Sequence, residues 1–114
     1  MARNTNPSPA VLAIVKARNN DVCLVCDARR AEQTHHRRPR GAGGSQRADT
    51  NAPQNLIRVC HRCHAEIESQ RDWARGLGYL VRQSHDPAEV PIWLRGRWFL
   101  LDDVGGMCES VPAA

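Results

Sequence analysis

The chain predicts a small α+β fold, and three observations carry that expectation. Two Cys-x2-Cys pairs, Cys23/Cys26 and Cys60/Cys63, stand next to short runs of strand-forming character, Glu32 to Arg37 and Leu56 to Val59. From about His61 to Arg75 there is no breaker, and Ile67, Trp73 and Leu77 recur at roughly helical spacing. A second patch of strand-type residues lies beyond, at 91–101. With 114 residues, the chain has the length of a single domain. Only three Trp, one Tyr and one Phe are available as large aromatic anchors, so a small core of this kind needs a staple.

Taken in order, residues 1–8 read as a polar, disordered tail. Ser8-Pro9 is an N-cap followed by proline at the first helical position, opening a helix over 9–20 in which Val11, Leu12, Ile14, Val15 and Arg18 suit an amphipathic pattern. The core spans 21–76. In it a tight turn at 23–26 precedes a strand that Pro39 ends. A long loop follows over 39–55 with Gly41, Gly43 and Gly44, then the strand 56–59, then a helix stopped at Gly76 or Gly78. A β extension occupies 77–104, with a hairpin bend at Arg95-Gly96, and 105–114 is a flexible tail.

The cysteines identify the staple. No apolar stretch reads as a signal segment or membrane span, which points to a cytoplasmic chain whose thiols stay reduced. Paired Cys-x2-Cys turns in that setting present four thiolates, from Cys23, Cys26, Cys60 and Cys63, to one tetrahedral Zn²⁺. Four sulfur ligands leave no open position, so this zinc is structural. The wide gap between the pairs fits a hairpin inserted between two knuckles. Cys60-His-Arg-Cys63-His64 also spells a haem-attachment motif, but export is absent and the first pair would go unexplained, so no haem is expected. His64-Ala-Glu66 lacks the order and the proline of the zinc deaminases. Cys108 is left as a free thiol.

Charge points to a partner. The formal net charge is +4, and eight arginines fall between 29 and 62 against Glu32 and Asp49, with Lys16 the one lysine. Clustered guanidinium suits phosphate. Arg37, Arg38, Arg40, Arg58 and Arg62 are the candidate DNA-phosphate contacts.

The zinc site leaves His35, His36, Asn55 and His64 without a task. Neighbours on a strand face opposite sides, so His35 and His36 take different roles, one as a metal ligand with His64 and the other as a base. His35-His36-x2-Pro39, the Gly-Gly pair, Asn55-Leu56 and the closing Cys-x2-Cys-His together resemble the HNH endonucleases in their zinc-stabilised form, over residues 23 to about 70. The whole chain is similar to small HNH proteins of tailed bacteriophages.

That resemblance implies a ββα-metal domain (the HNH or His-Me finger) acting as a metal-dependent endonuclease or nickase on double-stranded DNA. It makes His36 the general base and Asn55 the residue that holds the hairpin loop and orients that base. His35 and His64 become ligands of a catalytic cation, with His61 as the weaker competitor and Asn51 as the competitor of Asn55. The cation is Mg²⁺, Mn²⁺, Ni²⁺ or Zn²⁺, which the ligand set does not separate. The same resemblance suggests work beside DNA packaging with a terminase large subunit, in the host cytoplasm. The alternatives are a non-catalytic zinc-knuckle DNA-binding protein and an accessory subunit of a packaging complex.

Overall fold

The structure, a computed structural model, describes residues 6–40 and 47–110. The expected bend at Gly41, Gly43 and Gly44, most of the N-terminal tail and residues 111–114 lie outside the described residues. The described chain is a small α+β fold with three α-helices and two small antiparallel sheets.

Helix α1 (Pro9–Ala17) starts where local chemistry predicts: Ser8 Oγ accepts from the Val11 amide at 3.2 Å, and proline occupies the first turn. It ends three residues short of the expected 20, because Asn20 and Asp21 turn to positive φ. Val15 is its one fully buried side chain. Most of its anchoring is polar: the Arg18 guanidinium donates to the Leu56 and Pro53 carbonyls at 2.8 and 2.7 Å. The helix therefore braces the turn around Asn55.

Strands β1 (Gln33–His36) and β2 (Leu56–Val59) pair antiparallel, with His35 opposite Ile57 and His36 opposite Leu56. Leu56, Ile57 and Val59 are buried, and Ile57 and Val59 form the floor of the core with Cys23, Leu24, Cys60 and Ile67. A single 3-10 turn, Pro53–Asn55, leads into β2.

Helix α2 (His61–Ser69) follows β2 directly, capped by Cys60, whose Sγ accepts from the Cys63 amide. The single helix expected over 61–75 is two helices. Gln70, at φ −118° and ψ 60°, leaves helical geometry and starts α3 (Arg71–Gly76) at a new angle. The break lets Ala74 reach the core, fully buried, and leaves Trp73 42% exposed beside Tyr79.

The extension forms the second sheet from β3 (Ile92–Leu94), β4 (Arg97–Leu101) and β5 (Met107–Glu109). Arg95 and Gly96 both have positive φ, as a type I′ hairpin turn requires. The tail expected over 105–114 is corrected by β5. Its strand is fixed by Asp102, whose carboxylate accepts from the Val104 and Gly106 amides. Gly78 joins the two halves: a Cβ there would lie 2.0 Å from the Pro91 carbonyl oxygen, so only glycine permits the approach. No helix of the described residues is long and apolar enough to cross a membrane.

Candidate metal centres and the site between them

Among the described residues, two clusters of side chains could hold a metal ion. In the first, Cys23, Cys26, Cys60 and Cys63 bring their sulfurs within 4.8 Å of one another. A tetrahedral zinc with 2.3 Å bonds needs sulfurs about 3.8 Å apart, so this set fits the ion. Each knuckle is preshaped by its backbone. The Asp27 amide closes the first turn on the Cys23 carbonyl at 2.8 Å, helped by positive φ at Asp27, and Leu24 donates to the Arg58 carbonyl on β2. Without an ion the thiols oppose one another's ionisation. Burial pushes Cys23 and Cys63 up, with neighbouring sulfurs adding at Cys63. At Cys26 burial acts the same way, but hydrogen bonds from the Ala28 backbone and from Cys23 bring it down to about 7. A divalent cation in place of the protons relieves that conflict.

The second cluster is His35, His64 and Glu68, again with one donor atom each within 4.8 Å. Its preparation lies in what the other nitrogens do. His35 is 3% exposed and its Nε2 donates to the Tyr79 carbonyl at 2.8 Å, leaving Nδ1 bare and 3.8 Å from Glu68 Oε1. His64 donates from Nδ1 to Gln33 Oε1 at 2.6 Å, leaving Nε2 bare, also 3.8 Å from that carboxylate oxygen. Imidazoles that ligate metals are oriented in this way, through a hydrogen bond at the far nitrogen. The second oxygen of Glu68 is held by Arg71 at 2.7 Å. Burial takes His35 down to about 4, with charge on His64 and His36 adding and the Tyr79 bond opposing. It is therefore a neutral imidazole at neutral pH, the form that could ligate a metal.

His36, the next residue along the strand, is half-buried. Its Nε2 donates to Asn51 Oδ1 at 2.7 Å, so the basic lone pair is on Nδ1. Burial lowers its pKa and the Asn51 bond opposes this. His36 lines a cavity of about 250 Å³ with His35, His64, Glu68, Arg40 and Arg71.

Asn55 is fully buried and ties the loop together: Oδ1 accepts from the Arg38 amide, and Nδ2 donates to the Thr50 and Arg38 carbonyls. Holding the loop is its visible work. The side chain bonded to His36 is Asn51.

The candidate phosphate contacts divide sharply. Arg37 is corrected outright: it is 0% exposed, and its guanidinium donates to the carbonyls of Gly78, Gln54, Pro87 and Val90. Burial lowers its pKa to about 9, with the Arg18 charge contributing. Arg38 is nearly as enclosed, bound to Asp49 and the His85 carbonyl, and Arg58 is engaged by Asp21, which leaves neither free for phosphate. Arg40 lines the cavity and Arg62 is exposed on α2. His61 is exposed and belongs to neither cluster.

Glu68 and Tyr79 are missing from the sequence expectations, in which Asn51 stands only as the competitor of Asn55. Glu68 carried a readable signal, since residues four apart on a helix share a face with His64. Tyr79 acts through its carbonyl, which no side-chain pattern announces. Comparison of the chain with protein-family models, with curated proteins and with solved structures finds no match.

Proposed function

We propose that this protein is a metal-dependent DNA endonuclease or nickase of the HNH type, with Cys23, Cys26, Cys60 and Cys63 holding a structural zinc. The observation that supports it best is the pairing of bare imidazole nitrogens. His35 and His64 each commit one nitrogen to a fixed acceptor and turn the other toward Glu68, beside a base-ready His36 in one cavity.

His35, His64 and Glu68 would hold a divalent cation, which when bound would supply Lewis-acid stabilisation of the charge that builds on a phosphodiester under attack. The rest falls to the chain. His36, with Nε2–H fixed by Asn51, accepts a proton from water at Nδ1. Arg40 and Arg71 at the cavity rim attract the phosphate. Asn55 keeps the strand end rigid, and Arg18 and Arg37 hold the carbonyls of the turn that presents it. The structural zinc sets the start of α2, and so the position of His64 one turn later.

The test is cleavage of supercoiled plasmid by the zinc-loaded protein with added Mg²⁺, Mn²⁺ or Ni²⁺ and without added cation. Nicked or linear product that needs the cation, and that drops roughly 10²- to 10⁴-fold in a folded His36→Ala variant, is the expected outcome. Cleavage that survives His36→Ala, or none with any cation, contradicts the proposal.

A further inference from the structure

A second surface continues from the candidate site along α3. Arg71 lines the metal-site cavity, and Arg75 follows four residues later on the same helix face. Arg75 forms the wall of a groove of about 340 Å³, completed by Gly76, Gly78, Val90, Pro91 and Trp98. The groove is dominantly apolar, with an indole and a guanidinium on its walls. The Arg75 Nε–H is buried without a hydrogen-bond partner, while its Nη2 is engaged by the exposed Asp72. Arg75 also borders an adjoining recess with Arg82 and His85, so guanidinium groups stand beside both, with Asp72 paired to Arg75.

Aromatic and guanidinium surfaces side by side, on a basic path, are how proteins hold unpaired nucleotides. The base stacks while the backbone follows the positive charge. A base inside a duplex is already stacked on its neighbours and cannot enter a groove of this size; an unpaired base can. Trp98 is braced for the task by Trp93, with ring centroids 5.0 Å apart. An indole beside a guanidinium suits a flat base with its phosphate better than a peptide, whose side chains offer no stacking face of that kind except an aromatic one.

We propose that the Trp98–Arg75 groove stacks an unpaired nucleobase, so that the substrate is DNA carrying a single-stranded segment next to the cut, such as an overhang, flap or branch. This rests on the DNA-cleavage reading above and names its substrate class.

The experiment is fluorescence anisotropy with the full, zinc-loaded chain and no added cation, so that no DNA is cut. Three DNAs share one duplex: blunt, with a short single-stranded overhang, and with the same overhang made abasic. The overhang binds roughly tenfold tighter than the blunt duplex, and the abasic version falls back to the blunt level. Trp98→Leu, which keeps apolar volume in the hairpin, abolishes the preference without changing affinity for the blunt duplex, and Trp98→Phe retains it. Equal affinity for overhang and blunt DNA, an abasic overhang that binds as well as the intact one, or a Trp98→Leu variant that loses both equally would overturn the inference. So would a dimer that Trp98→Leu dissociates, since a second copy of the chain would then own the groove. Cation-dependent cleavage with no overhang preference sinks this inference alone; failure to bind any DNA sinks the nuclease reading with it.

Discussion

The two metal-type clusters are built from opposite principles. The cysteine cluster joins two distant turns, has two of its four sulfur residues buried, and has a donor set that closes a tetrahedron. The His35–His64–Glu68 cluster has three donors, one of them on a residue 47% exposed, and it opens on a cavity. A closed set contributes folding energy; an open one leaves room for substrate oxygen and water. The two candidate clusters are separated by about one helical turn, from Cys60 at the cap of α2 to His64.

The sharpest way to test that division is to damage the closed cluster. Cys60→Ser removes a ligand and the cap of α2 together. Structural zinc supplies on the order of 10–16 kcal/mol in small domains. The variant is expected to retain no zinc and to show no cooperative thermal transition by circular dichroism.

Next in size is Arg37→Met, which keeps the aliphatic bulk and orphans four carbonyls. Leaving such a network half-made costs about 3–5 kcal/mol, read as a fall in the urea midpoint, with zinc content unchanged. Asn55→Ala deletes three buried hydrogen bonds and is expected to cost about 2–3 kcal/mol in the same assay.

Glu68→Gln sits at the small end for stability, within about 0.5 kcal/mol, because its partner Arg71 is exposed. It nevertheless weakens binding of Mn²⁺ roughly ten- to hundredfold or more. A large loss of stability with no change in Mn²⁺ affinity would reverse the assignment of the two clusters.

Much of this division is legible in the sequence, and the limits have physical causes. The Cys-x2-Cys spacing, the Ser8-Pro9 cap, β2 and the Arg95-Gly96 turn depend on local chemistry, and each is where the residues predict. His35 and His36 take different hydrogen-bond partners, the Tyr79 carbonyl and Asn51, although both line one cavity. The helix break at Gln70 is not readable, since no Gly or Pro marks it and tertiary packing of Ala74 decides it. The arginines mislead most. Composition shows charge but not burial, and Arg37 spends its charge on backbone carbonyls from segments up to 53 residues away. Long-range carbonyl acceptors such as Tyr79 are invisible for the same reason.

The most direct test of the two-cluster account is calorimetric titration of Mn²⁺ into the zinc-loaded protein, with His64→Ala alongside. The account predicts one further ion bound by the wild type, none by His64→Ala, and one zinc retained by both. Absence of a second ion in the wild type, or unchanged Mn²⁺ binding in His64→Ala, would contradict it.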